Sequence, residues 1–159
     1  HVSDQNPLRI STEFTLTSGR GAASGMREYA ELGGSIAAQK PLFAARGLDL
    51  SAFYNGTLNL DIAPRRFSII APRLKLENIC WHPDLPGETF SFCAAALEIG
   101  GAVYPALVYY PHPETKAAYG TMPPDTMIEV LAPFVENVRR GQQGELWTDS
   151  NEIDIFLPS

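Results

Sequence analysis

The segment Gly56-Thr57-Leu58-Asn59-Leu60 carries two neutral oxygen ligands at the spacing of one strand face. Alternate side chains of a strand project to the same side, so the Thr57 hydroxyl and the Asn59 amide oxygen are expected side by side. Magnesium prefers oxygen ligands and takes few of them from the protein when phosphate and water supply the rest. The pair is a candidate metal site; the alternative is two polar residues on the solvent face of a half-buried strand.

A second candidate is the glycine-rich run Gly19-Arg20-Gly21-Ala22-Ala23-Ser24. It follows a predicted strand, and successive backbone N–H groups at such a place can hold one phosphate. No Gly-Lys-Ser/Thr follows, so the run is not a P-loop, and the third glycine of the dinucleotide fingerprint is absent. An ordinary surface loop is the alternative.

Glu129 is the one carboxylate in the otherwise apolar residues 128–133. A buried carboxylate needs a partner, so Glu129 is a candidate to bond a ligand or to act as a base. In the alternative, Glu129 points to solvent while Ile128 and Val130 point inward.

Histidine and cysteine indicate no further site. His82 and His112 each precede a proline and have no partner at a recognisable spacing, so neither a metal site nor a catalytic triad is predicted from them. Cys80 and Cys93 are too few for a zinc site or a disulfide scaffold. A hairpin centred on Pro86-Gly87 would set the two cysteines opposite each other, which permits a disulfide. Two buried free thiols are the preferred alternative.

The elements that position these residues are predicted to be short strands. The strands are expected at residues 8–17, 57–62, 66–70, 74–80, 89–99, 102–110, 126–131 and 152–156. A short helix at residues 40–47 would have Pro41 in its first turn and Gly47 as its terminator. Many short strands separated by turn residues favour a barrel or sandwich over alternating βαβ units. We therefore predict one mainly-β domain over residues 1–159.

Composition limits the class of protein and of partner. The chain has 159 residues, of which 45% are apolar, enough for one sizeable core. A net charge of −6 disfavours a nucleic-acid polymer but permits one nucleotide held by backbone amides and a metal. Residues 92–110 are apolar but interrupted by Glu98, Gly100-Gly101 and Pro105, so no spanning helix is predicted. The first ten residues lack an apolar signal segment, and we expect a soluble, cytoplasmic protein.

Three segments resemble, in their order and spacing, those of the CTP-dependent riboflavin kinases of archaea. They are the glycine-rich run, residues 56–60 (GTLNL) and residues 128–133 (IEVLAP). The match spans about residues 16–156. The resemblance implies a small closed cradle-loop β-barrel. It also implies transfer of the γ-phosphoryl group of CTP to the 5′-hydroxyl of riboflavin, giving FMN and CDP, with Mg²⁺ as cofactor.

The same resemblance implies roles for individual residues. Thr57 and Asn59 would hold magnesium, while Thr121 and Glu129 would contact the flavin, with Glu129 as the candidate catalytic residue. The nucleotide would be bound by Gly19, Arg20, Gly21, Ala22, Ala23, Ser24, Phe134, Val135, Glu136 and Asn137. Whether Glu129 accepts the hydroxyl proton or orients the ribityl chain stays open, and Thr115 is an alternative to Thr121.

Two positions depart from the family pattern. The first loop continues Ala22-Ala23-Ser24-Gly25 where the family has an acidic residue and a third glycine, and Thr121-Met122-Pro123-Pro124 lacks the family's histidine. A non-catalytic module that binds a nucleotide, a flavin or a carbohydrate on the same barrel is therefore the alternative function. A kinase acting on another small alcohol is a third. The expected partners are CTP and riboflavin, with no nucleic-acid polymer and no membrane.

Overall fold

The fold is mainly β in the computed structural model of this chain, which describes residues 7–17, 35–84, 86–115 and 124–159. In chain order the elements are β1 (Ile10–Leu16), α1 (Ser35–Ala45), β2 (Leu58–Asp61), β3 (Arg66–Ile69), β4 (Leu74–Ile79), β5 (Glu88–Ile99), β6 (Ala102–Pro111), β7 (Met127–Leu131), β8 (Gln143–Thr148) and β9 (Ile153–Phe156). A short 3₁₀-helix, Pro113–Thr115, follows β6. The prediction of a mainly-β fold with one α-helix is confirmed for these residues.

Six strands form a closed ring of antiparallel pairs. The order is β5, β6, β7, β2, β1 and β8, and β8 pairs again with β5. The ring closes because the long strand β5 has two partners on one edge: its first half pairs with β4 and its second half with β8. Strands β3 and β9 form a separate two-stranded sheet. Two of the ladders in the ring are short: β6 with β7 and β1 with β2 consist of two residue pairs each.

The larger of two apolar cores lies on the inner face of this ring. Leu58 and Leu60 of β2 and Ile128 and Val130 of β7 belong to it, and each is at most 6% exposed. Because side chains alternate along a strand, the residues between them point to the outer face. The outward residues include Asn59 and Glu129.

The second core joins the helix to the outer face. Phe43 of α1 is fully buried and makes edge-to-face contacts with Phe90 and Phe92 of β5, with centroid distances of 5.1 and 5.2 Å. Next to these rings, Tyr109 Oη donates a hydrogen bond to Gln39 Oε1 at 2.7 Å. The helix is therefore anchored by packing and by one buried hydrogen bond.

The helix begins earlier than the sequence predicts. It spans Ser35–Ala45, so Pro41 is an interior residue and not part of the first turn. Proline removes one backbone donor, whose acceptor would be the Ala37 carbonyl, and Ala37 is exposed to water. The predicted end is confirmed: Gly47 has a φ of 97° and its N–H donates to the Ala44 carbonyl at 3.0 Å. No helix in the described ranges is long and apolar enough to cross a membrane.

Each predicted strand coincides with an observed strand to within two residues at either end, but β8 was not predicted. Its sequence contains Gly144, which indicates a turn when read alone. In the fold this glycine is required by close packing, because a Cβ at this position would lie 2.4 Å from the Glu98 carbonyl oxygen and 2.6 Å from the Phe14 ring. Strand β8, which closes the ring, is therefore the strand that its local sequence does not predict.

The disulfide that a hairpin centred on Pro86-Gly87 would permit does not form, and the preferred interpretation as free thiols is confirmed. The β4–β5 register sets Leu74 opposite Phe92 and Ile79 opposite Glu88, with an irregularity between, so Cys80 and Cys93 lie at opposite ends of the hairpin. Both are free thiols; Cys93 is buried and Cys80 is exposed. The prediction of two buried thiols therefore holds for Cys93 alone.

The two thiols are expected to differ in reactivity. Burial, with a smaller contribution from the Glu152 carboxylate, raises the pKa of the Cys93 thiol to about 12, so it stays protonated and inert at pH 8. Titration of the native protein with a disulfide reagent at pH 8 should modify one thiol, and titration in urea should modify both. A Cys80→Ser variant should show no native reaction, and rapid labelling of Cys93 in that variant would contradict the burial.

Candidate functional site

Strands β2 and β7 bring together the residues selected from the GTLNL and IEVLAP segments. Their register sets Asn59 directly opposite Glu129, while Leu58 faces Val130. Directly opposed residues project to the same face of a sheet, so Asn59 and Glu129 are neighbours on the outer face. Thr57 immediately precedes β2 and lies beside both.

Thr57, Asn59 and Glu129 form a contiguous polar group, here called the β2–β7 oxygen cluster. Thr57 Oγ1 lies 3.2 Å from Glu129 Oε1 and 3.4 Å from Asn59 Oδ1. A hydroxyl carries one proton, and the closer, carboxylate oxygen is the stronger acceptor, so Thr57 donates to Glu129. The predicted adjacency of Thr57 and Asn59 is confirmed. Glu129 points outward, as the alternative interpretation of its segment predicts. It is nevertheless only partly exposed, and it accepts a hydrogen bond.

The spacing of this cluster fits the ligand shell of a magnesium ion. Adjacent ligands of an octahedral ion with bonds of about 2.1 Å lie about 3.0 Å apart, so oxygens at 3.2 and 3.4 Å need only small shifts. The three oxygen types, hydroxyl, amide and carboxylate, are all ones that magnesium accepts. In the described part of the chain, no three carboxylate, imidazole or thiol groups converge as a metal site. The cluster itself contains one carboxylate, so a divalent cation here would need a further anionic ligand to balance its charge.

A cavity of about 430 Å³ adjoins the cluster on the side of Glu129. Its walls include Phe67, Lys75, Ser91, Tyr110, His112 and Glu129. The β6–β7 ladder consists of two pairs, Leu107↔Leu131 and Val108↔Val130. The cavity lies beyond these pairs, next to the residues that follow Val108 in β6 and precede Val130 in β7. Thr57 and Asn59 do not line it. Glu129 is therefore the residue shared by the oxygen cluster and the cavity.

Aromatic rings line the middle of this cavity. Phe67 of β3 meets the Tyr110 ring edge-to-face at 5.9 Å, and Tyr110 meets the His112 ring at 5.1 Å. Burial, reinforced by the Glu114 carboxylate, raises the pKa of the Tyr110 phenol, which therefore stays a neutral hydroxyl at physiological pH. Such a wall suits a flat apolar or aromatic ligand.

The structure gives His112 partners that the sequence analysis missed. His112 Nε2 lies 2.6 Å from Ser91 Oγ, and His112 Nδ1 lies 3.2 Å from Glu114 Oε2. The signal was present in the hairpin centred on Gly100-Gly101, which sets Ser91 opposite Tyr110 and so places His112 two residues further along. The register of that hairpin, continued to its ends, brings His112 close to Ser91.

The other predicted site residues are distributed as follows. The predicted nucleotide loop and one predicted flavin contact lie outside the described residues; these are Gly19, Arg20, Gly21, Ala22, Ala23, Ser24 and Thr121. Of the segment after β7, Phe134 is 50% exposed and meets the Tyr54 ring at 5.1 Å, whereas Val135 is buried in the inner core. Glu136 and Asn137 are exposed.

Thr115, the alternative to Thr121, is engaged by backbone groups. Its Oγ1 accepts from the Thr89 N–H and donates to the His112 carbonyl, both at 2.9 Å. These two hydrogen bonds place Thr115 among the residues that fix the loop containing His112.

Comparison with known proteins adds no relative: no protein-family model matches the chain, and no curated protein matches it.

Proposed function

We propose that this chain is a riboflavin-kinase-like phosphotransferase that moves the γ-phosphoryl group of CTP to the 5′-hydroxyl of riboflavin. The observation that carries the proposal is the convergence of Thr57, Asn59 and Glu129 on one face, with Glu129 also lining an aromatic cavity. Those three residues come from two of the three segments on which the resemblance rests; the third, the glycine-rich run, lies outside the described residues. The closed ring of six strands supports the finer assignment of a cradle-loop barrel.

The reaction exchanges one P–O bond for another. The bond between the γ-phosphorus and the β,γ-bridging oxygen breaks, the ribityl 5′-oxygen bonds to that phosphorus, and the hydroxyl proton leaves to a base. Phosphoryl transfer depends mainly on charge neutralisation and in-line positioning, which side chains supply without a covalent intermediate. The products are FMN and CDP.

Each member of the oxygen cluster has a role in that step. Thr57 and Asn59 would hold magnesium, which when bound supplies positive charge to the phosphate oxygens. Thr57 keeps its lone pairs for this role because its proton goes to Glu129. Glu129 faces the cavity and either receives the hydroxyl proton or orients the ribityl chain.

The cavity suits the flavin in size and lining. Pockets for small ligands usually enclose roughly 300–1,000 Å³ and are lined by apolar and aromatic groups with a few polar ones. At about 430 Å³, with Phe67 and Tyr110 in its walls, this cavity lies in that range. We place the activity in the cytoplasm, with CTP and riboflavin as small-molecule partners.

A second function is favoured by the burial of Thr57, which is 1% exposed. A hydroxyl so enclosed and already hydrogen-bonded suits a structural link between β2 and β7, in a module that binds a ligand without turnover. Thermal-shift measurements separate the two: stabilisation by one ligand with no product supports the module, because a bound ligand stabilises by mass action.

The proposed activity is tested directly by product formation. We expect FMN when the protein is incubated with riboflavin, magnesium and CTP, and much less FMN when ATP, GTP or UTP replaces CTP. Chelation of magnesium with EDTA should stop the reaction, and added magnesium should restore it. Absence of FMN with every nucleotide would reject the proposal.

A further inference from the structure

The loop between β7 and β8 carries an arginine that has no role in the transfer as described above. Arg140 Nε donates a hydrogen bond to the Thr17 carbonyl at 2.6 Å, directly after the end of β1. The Gly141 N–H donates to the Leu16 carbonyl at 2.7 Å, and the Leu16 N–H donates to the Gln142 carbonyl at 2.8 Å. Arg140 is therefore held beside β1 by its own side chain and by the backbone of the two residues that follow it.

Thr17 connects Arg140 to the β2–β7 oxygen cluster. Its N–H and its Oγ1 both donate to the Asn59 carbonyl, at 3.0 and 3.1 Å. Asn59 is in turn directly opposite Glu129. Because neighbouring strands lie about 4.8 Å apart, Thr17 is about 5 Å from Asn59 and roughly 10 Å from Glu129 across the sheet. A single residue therefore separates Arg140 from the oxygen cluster.

The guanidinium of Arg140 keeps most of its hydrogen-bond donors. An arginine has five N–H donors in a planar fork, and the Thr17 carbonyl takes the one on Nε. Arg66 and Arg73 each form an ion pair with a carboxylate, whereas no carboxylate of the described ranges forms one with Arg140. Arg140 is also exposed to solvent. Its two Nη atoms are therefore accessible to an anion.

The strand order places the cavity and Arg140 on opposite sides of the oxygen cluster. In the order β6, β7, β2, β1, β8, the cavity lies beside β6 and β7, and Arg140 lies on the loop that leads into β8 and bonds to the end of β1. Phosphoryl transfer needs the attacking and leaving oxygens roughly in line with the phosphorus. A hydroxyl in the cavity and a phosphate chain beside Arg140 would meet at the cluster from these two sides.

The charge of Arg140 complements that of the ligand in the proposed function. A triphosphate keeps a negative charge after it binds one magnesium ion, and Glu129 adds a negative charge to the cluster. The whole chain carries a net charge of −6 as well, so repulsion opposes the binding of an anion unless a cation lies nearby. A guanidinium fork fits phosphate oxygens with two parallel hydrogen bonds.

We propose that Arg140 binds a phosphate group of the nucleotide through its Nη atoms, while its Nε stays on the Thr17 carbonyl. This inference rests on the proposed function, in which Thr57 and Asn59 hold the magnesium that the same phosphates bind. It adds a cationic phosphate contact to that site, on the side away from the cavity. The contact involves phosphate oxygens only, so it does not depend on the base.

Calorimetric titration of the whole protein with CDP and Mg²⁺ tests this contact without turnover. Arg140→Gln should bind CDP at least about tenfold more weakly than the native protein, the usual size for a hydrogen bond to a charged group. Arg140→Lys should also bind CDP more weakly, because an ammonium keeps the charge and lacks the planar fork. Native affinity in Arg140→Gln would overturn this inference, and native affinity in Arg140→Lys would overturn the paired contact.

Arg9→Gln is the matched control. Arg9 is an exposed arginine just before the other end of β1, eight residues from Thr17 and therefore roughly 26 Å away along the strand. The substitution removes the same charge and should leave CDP binding unchanged. A loss equal to that of Arg140→Gln would show a general effect of net charge and would overturn this inference.

The same titrations separate this inference from the proposed function. CDP binding that depends on Arg140, in a protein that forms no FMN with any nucleotide, would reject the transfer and retain the phosphate contact in a binding module. FMN formation with unchanged CDP binding in Arg140→Gln would do the reverse. A native protein that neither binds CDP nor forms FMN would overturn both.

Discussion

Replacing Thr57 by valine is expected to lower kcat for FMN formation by at least about 100-fold, because the hydroxyl contributes one of the three oxygens in the β2–β7 cluster. Valine has nearly the same shape and suits an extended segment, so the backbone should not move. Loss of the hydrogen bond to Glu129 should lower the free energy of unfolding by about 1 kcal/mol. Steady-state kinetics with CTP and riboflavin, together with urea denaturation, measure the two effects separately.

The matched control is Thr148→Val. Thr148 Oγ1 is buried and has no hydrogen-bond partner among the described residues, so the same substitution there removes no bond. Its kcat should equal that of the native protein. Asn59→Ala should reproduce the loss seen in Thr57→Val, since Asn59 lies opposite Glu129. A Thr57→Val protein that turns over at the native rate would remove the cluster from the reaction and favour the binding module.

The second large effect is expected in stability. Gly144→Ala should lower the free energy of unfolding by about 3 kcal/mol, the upper part of the usual range for overpacking. The added Cβ would lie 2.4 Å from the backbone oxygen of Glu98, which cannot rotate away, and 2.6 Å from the Phe14 ring. Relief requires β8 to move from β5 and β1, which opens the ring at its closing pair.

The urea midpoint of Gly144→Ala should fall markedly, and Gln143→Ala is the control. Gln143 is the adjacent, exposed residue of the same strand, so its truncation should change stability by no more than about 0.5 kcal/mol. Equal midpoints for the two variants would show that β8 tolerates a side chain at residue 144. That outcome would contradict the close approach of the three strands.

The strands could be predicted because their signal is local. Leu58 and Leu60 alternate with Asn59 and Asp61, and turn residues delimit the segment, so period and length together indicate a half-buried strand. Gly144 reverses the signal in β8, because a glycine needed for close packing has the same appearance in sequence as a glycine needed for a turn. Tertiary contact alone distinguishes the two.

Part of the geometry of the β2–β7 oxygen cluster could be predicted from local sequence, and part could not. The adjacency of Thr57 and Asn59 follows from strand geometry and needs no knowledge of the rest of the fold. Their contact with Glu129 depends on the pairing of β2 with β7, which are separated by more than sixty residues. Motif order suggested that contact only through a family resemblance, and the register supplied the distances.

The sequence by itself determined the class of fold, the positions of eight strands and the end of the helix, because hydrophobic period, glycine and proline act within a few residues. It also gave a net charge of −6, from which we predict that the partner is not a nucleic-acid polymer. Only the tertiary structure decided that β8 closes the ring, that Cys80 and Cys93 are apart, and that Ser91, His112 and Lys75 line the cavity that Glu129 borders. These outcomes depend on strand register and on close approach between distant segments, and neither is encoded in any single stretch of the chain.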